Sequence, residues 1–109
     1  MTDATPVTTL VTYYPKSGRD DELVALIQKH WPTLNQLGLA TPRPAKLWRG
    51  ADKRTGRTFI VELFEWRDGG SSEIAHQTPE VMAVWEPMGP LLDEMSIARL
   101  QSIDAAQHG

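Results

Sequence analysis

The chain has 109 residues, one domain's worth, and a domain of that size buries roughly two-thirds of its unfolded surface. Its 40% hydrophobic and 23% charged residues are an ordinary globular balance, and a net charge of −3 with scattered Lys and Arg leaves no nucleic-acid footprint. Cysteine is absent, which excludes disulfides and thiol chemistry, and no apolar run approaches the roughly 20 residues of a membrane span.

Residues 1–6 read as a polar arm. Residues 7–14 are rich in β-branched and aromatic side chains and predict a first strand, stopped at Pro15 and Gly18. Ser17 followed by Asp20, Asp21 and Glu22 marks a helix start, with a capping oxygen and acids against the positive end of the dipole. Leu23, Leu26, Ile27, Leu34 and Leu37 give that helix one apolar stripe. Pro32 removes the bond to the Gln28 carbonyl, so a kink or restart is expected there, and Gly38 suits the position just past the end.

Residues 45–51 predict a second strand carrying Trp48, and 52–56 a hairpin loop with Gly56 in a left-handed conformation. The strand over 57–66 follows. It places Phe59, Val61 and Leu63 on one side and Ile60, Glu62, Phe64 and Trp66 on the other, so both faces are apolar enough to need cover. The face holding Glu62 is expected to lie under a second subunit, a ligand cavity, or both. Residues 68–72 form a break, 73–77 a short turn holding His76, and Thr78-Pro79 an N-cap with proline at the first helical position. Val81, Val84, Trp85 and Met88 line that helix until Pro87 and Pro90 end it. Residues 95–103 predict the last strand, and 104–109 a frayed tail. The domain is therefore 7–103. Its order, βαββαβ, predicts an α+β ferredoxin-like plait: a four-stranded antiparallel sheet with helices on one face.

Two stretches resemble a known family: Glu65-Trp66-Arg67-Asp68, and His76 through Val81 followed by Trp85. The chain is similar there to the antibiotic-biosynthesis-monooxygenase-like domains of the dimeric α/β-barrel superfamily. Tyr14-Pro15, His30-Trp31-Pro32 and Leu37-Gly38 fit the front half of the pattern. The resemblance implies a homodimer whose two sheets face each other as a barrel. It also implies a small apolar or aromatic ligand and, in some members, oxygenation of phenols or quinols with no cofactor. Haem degradation is disfavoured, since the first strand has no Asn and Val84-Trp85-Glu86 offers no ligating His.

The candidate catalytic residues are His76 and Glu62. His76 is read as a general base or as a brace for its turn, and Glu62 as a proton shuttle or as the partner of Arg49, Arg67 or Arg99. Glu65 is placed on the helix side. His30, in the middle of the first helix's stripe, is read as a buried, satisfied structural residue. Tyr14, Trp48, Phe64, Trp66 and Trp85 are the candidate substrate-binding aromatics, with core or dimer interface as the plain alternative. No H-x-x-x-H or H-x-H spacing organises a metal site, and none is expected. The topology also serves RNA-recognition modules, but alternate positions of the 57–66 strand hold aliphatics and a Glu instead of exposed aromatics. The function that follows is a homodimeric small-molecule-binding protein acting as a cofactor-independent monooxygenase on an aromatic or polyketide-like phenol or quinol. A non-catalytic ligand-binding or structural dimer is the alternative. The absence of a leader pattern at the start makes a cytoplasmic location the default, with neither nucleic acid nor membrane as partner.

Overall fold

The computed structural model describes residues 5–104, so most of the expected arm and tail, including His108, lies outside the described residues. Four strands, β1 (Val7–Pro15), β2 (Lys46–Ala51), β3 (Thr58–Trp66) and β4 (Leu92–Arg99), form one antiparallel sheet in the order β2-β3-β1-β4. Three helices, α1 (Asp20–Gln36), α2 (Ser71–His76) and α3 (Pro79–Trp85), cover one face of it, and a 3-10 segment over Glu86–Leu91 leads into β4. This is the ferredoxin-like plait expected from the order of elements.

The two central strands define the faces. Thr9, Val11 and Tyr13 on β1 and Ile60, Glu62, Phe64 and Trp66 on β3 are buried, each alternating with half-buried neighbours. They meet the α1 stripe of Leu23, Ile27, His30 and Leu34, whose spacing keeps one side of a helix against the sheet. Val81, Val84 and Met88 close the layer at the other end. Thus the helices themselves cover the face that holds Glu62. The face left open carries Leu10, Tyr14, Phe59, Val61, Leu63 and Glu65, all half-buried. Glu65 therefore sits opposite the helices, where it accepts from Thr41 Oγ1 at 2.9 Å and pairs with Arg43 at 3.7 Å. Strand alternation alone is symmetrical, and with both faces of β3 apolar it does not say which one the helices take.

Local chemistry explains the remaining differences. Helix α1 starts at Asp20 with no side-chain cap, so Ser17 does not cap it, and the helix runs unbroken through Pro32. At its end Gly38 takes φ 73° and donates to the Asn35 carbonyl at 3.0 Å, the left-handed stop its sequence position indicated. The hairpin is closed as expected: Asp52 Oδ1 accepts from the Arg54 and Thr55 amides at 2.8 Å each, and Gly56 has φ 76°. Thr78 is extended ahead of Pro79, but its hydroxyl turns back to the Ile74 carbonyl at 2.7 Å and finishes α2 instead of capping α3. Strand β4 begins at Leu92 and ends at Arg99, several residues earlier than 95–103. It starts opposite Pro15, where a register shift between Tyr14 and Pro15 marks a bulge.

Candidate functional site

Between the helical layer and the β1–β4 half of the sheet lies a cavity of about 300 Å³. Its walls are mainly apolar, with Val11, Phe64, Trp66, Met88, Met95 and Ile97 among them, and its polar contributors are Thr9, Tyr13, His30, Ser72, His76 and the Trp85 indole. It forms where it does because β4 is an edge strand over which no helix reaches. Met95 and Ile97 point to the helix side yet remain 46% and 64% exposed.

Behind one wall runs a chain of buried polar groups. Glu62 is 0% exposed and forms no ion pair with Lys or Arg among the described residues. Tyr13 Oη donates to its Oε1 at 2.7 Å, and His30 Nδ1 lies 2.9 Å from both carboxylate oxygens. On the far side of the ring, Trp85 Nε1 donates to His30 Nε2 at 2.8 Å. An indole nitrogen can only donate, so Nε2 must accept and the ring's proton sits on Nδ1, facing Glu62. Among the described residues no buried side-chain nitrogen or oxygen is left without a hydrogen-bond partner. Burial first, and then the Glu62 charge and hydrogen bond, push the Tyr13 hydroxyl well above the ordinary phenol range, so it stays a donor.

His76 is different. Its ring lies tilted against Trp85, centroids 4.7 Å apart and planes at 58°, exposed at the cavity mouth and without a hydrogen bond among the described residues. Helix α2, which carries it, is anchored by Asp68, whose Oδ1 accepts from the Gly70 amide at 3.0 Å and Ser71 Oγ at 2.9 Å. The Ser71 hydroxyl, then the Gly70 amide and the Arg67 guanidinium, hold the Asp68 carboxyl below the usual range. Its stabilisation is therefore present above that range and lost as pH falls through the lowered value. Urea midpoints followed against pH are expected to show this limb flattened in Asp68→Asn.

Of the residues expected from sequence, His76, Phe64, Trp66 and Trp85 line the cavity together. Glu62 stands one layer behind it, joined to it through Tyr13 and His30. None of Arg49, Arg67 and Arg99 is its partner: Arg49 bridges Asp20 and Asp21, and Arg67 bridges Asp68. Tyr14 and Trp48 are not in the cavity. Tyr14 lies on the opposite face with Arg57 stacked 4.0 Å above its ring, and Trp48, 51% exposed, belongs to edge strand β2. A one-residue step separates Tyr13 from Tyr14, and a strand turns neighbours to opposite faces. His30 is buried and fully bonded as expected, but it also forms part of the cavity wall, a position its helix spacing alone did not reveal. Among the described residues no group of three His, Cys, Asp or Glu side chains is placed to hold a metal, and no helix is long and apolar enough to cross a membrane.

The fold matches solved structures along nearly the whole chain. Rv0793 from Mycobacterium tuberculosis is 21% identical with a TM-score of 0.67, the match covering 94% of this chain and 100% of that one. A mutant form of SnoaB, a cofactor-independent oxygenase from Streptomyces nogalater, is 12% identical with a TM-score of 0.69, covering 94% and 98%. An antibiotic biosynthesis monooxygenase is 14% identical with a TM-score of 0.67, covering 90% and 99%. The chain thus has the ferredoxin-like fold of the antibiotic-biosynthesis-monooxygenase-like proteins, as the resemblance implied; at these identities the likeness is one of fold. No protein-family model and no curated protein matches the sequence.

Proposed function

We propose that the cavity binds a flat, mostly apolar aromatic molecule, and that the protein oxygenates a phenol or quinol there without a cofactor. The observation that carries this reading is a 300 Å³ space with apolar walls and two imidazoles flanking one indole at its edge. Such volume and lining suit a small ligand oriented by a few polar groups. His76, whose ring nitrogens are unengaged, removes a hydroxyl proton, and the electron-rich anion reacts with dioxygen. For a quinol the balance closes without an outside reductant. A ring C–H becomes C–OH, the ring leaves as a quinone, and the second oxygen leaves as water. SnoaB, a cofactor-independent oxygenase of the same fold, agrees with this direction.

We also propose that two copies pair through the open sheet face. Leu10, Phe59, Val61 and Leu63 form an apolar surface there, which a one-sided sheet in water ordinarily avoids. Sedimentation is expected to give twice the chain mass for the wild type and a single chain for Val61→Lys. Val61 sits mid-sheet between Thr12 and Trp48, where a lysine has no partner. A wild-type monomer at all concentrations removes this pairing.

The deciding experiment is oxygen uptake against a panel of phenols and quinols, alongside ligand binding by calorimetry. Uptake with formation of one quinone per dioxygen supports the reading. Binding without uptake assigns the ligand-binding alternative, and failure of every compound to bind overturns both.

A further inference from the structure

The Tyr13–Glu62–His30 chain does more than fill a core. A carboxylate that aligns an imidazole through Nδ1, leaving Nε2 as an acceptor directed at a cavity, is the arrangement by which proteins present a histidine to a hydroxyl. A purely structural histidine in an apolar stripe has no need of a cavity beside its second nitrogen. The His30 ring lines one, and the residue is 3% exposed, so bulk water does not compete for its Nε2 lone pair. In the unliganded protein the lone pair is engaged by the Trp85 N–H at 2.8 Å. The indole is only half-buried and sits at the end of a short helix, with the exposed His76 ring tilted against it at the cavity mouth. Unlike Tyr13 and Glu62 it does not belong to the sheet, and unlike His30 it is not fully buried.

We infer that His30 Nε2 is the docking point for a ligand hydroxyl, and that the Trp85 indole N–H is a stand-in donor which the hydroxyl replaces. This rests on the aromatic-ligand reading of the cavity and narrows it: the ligand must carry an O–H donor on its ring. Each part has a separate duty. Tyr13 fixes the carboxylate and Glu62 fixes the tautomer. His30 receives the hydroxyl, and Trp85 keeps the acceptor satisfied while the cavity is empty. A ligand of the same shape without the proton, an aryl methyl ether, leaves Trp85 on His30 and gains nothing from the site. The hydroxyl that docks at His30 is distinct from the position at which His76 works, so a substrate with two hydroxyls uses both imidazoles.

The test compares β-naphthol with its methyl ether, both measured by calorimetry on the intact protein and on Trp85→Phe. Phenylalanine keeps an aromatic wall and removes the competing N–H. The naphthol is expected to bind the wild type more tightly than the ether. Trp85→Phe is expected to widen that preference by about 3- to 10-fold, the range of one net hydrogen bond. A second measurement uses the wild type alone. On addition of naphthol, and not of the ether, the hydrogen-bonded indole N–H resonance of Trp85 moves upfield and its exchange with water quickens. Equal binding of the two probes in both proteins, with an unmoved indole resonance, overturns the inference while leaving the cavity a ligand site. If neither probe binds either protein, the cavity reading and this inference fall together.

Discussion

Glu62→Ala is expected to destabilise the protein by about 3–5 kcal/mol, the scale for breaking a buried, hydrogen-bonded charge arrangement by removing one partner. The physical reason is the two donors left behind. Tyr13 Oη and His30 Nδ1 both direct their protons at this carboxylate, and among the described residues these two atoms make no other hydrogen bond. Each buried orphan costs about 1–3 kcal/mol, and the lost side-chain volume adds to that. A domain of this size holds only about 5–15 kcal/mol in total, so the variant is expected to lose a large part of its stability. Glu62→Gln should cost less, about 1–2 kcal/mol, because shape and one acceptor survive. Its amide nevertheless forces a choice. Either the Tyr13 hydroxyl turns from donor to acceptor, or His30 changes tautomer and sets an N–H against the Trp85 N–H. Urea unfolding would order the variants. The sharper check is Tyr13→Phe in the Glu62→Ala background, which deletes one orphan and should recover about 1 kcal/mol. Strict additivity of the two changes would show that Tyr13 and Glu62 are not coupled.

That coupling also marks the limit of what the sequence discloses. The order of elements, the hairpin at Asp52 to Gly56 and the stop at Gly38 rest on local chemistry, and local chemistry is readable residue by residue. The face of β3 is not local. With Phe59, Val61 and Leu63 on one side and Ile60, Phe64 and Trp66 on the other, alternation offers two equivalent arrangements. A signal that breaks the tie was nevertheless present. His30 falls in an otherwise apolar stripe, and a buried imidazole needs a polar partner from whatever it packs against. Glu62 is the only acid on its face of the neighbouring strand, Glu65 lies at the end of the other face, and Tyr13, not Tyr14, shares a strand phase with Val11 and Thr9. Pairing the helix histidine with the strand glutamate puts Ile60, Phe64 and Trp66 under the helices. It also moves Tyr14 off the site. Trp48 could not have been resolved this way, because whether an edge strand's side chain reaches a cavity depends on how far the covering helices extend.

His76→Ala is expected to lower kcat for a quinol substrate by about 100-fold or more, with KM changed by no more than about threefold. General-base removal of a proton contributes about 10²–10⁴-fold, and the loss falls on the transition state because that is where the proton is in transit. Availability distinguishes His76 from its neighbours. Glu62 lies behind the wall with both oxygens engaged, and His30 has one nitrogen on Glu62 and the other on Trp85. His76 alone among these groups makes no hydrogen bond among the described residues at the cavity edge, and its ring meets the indole at a tilt of 58°. Removing it strips little apolar contact from the walls, which is why binding should survive. Substitution by Gln separates chemistry from placement, since an amide fills the space and hydrogen-bonds but does not take up a proton at neutral pH. Turnover restored by Gln would mean that the ring merely positions the substrate. Turnover unchanged in Ala would move proton removal to the His30 end of the cavity. There the hydroxyl already faces an aligned imidazole, and Trp85→Phe should then accelerate the reaction.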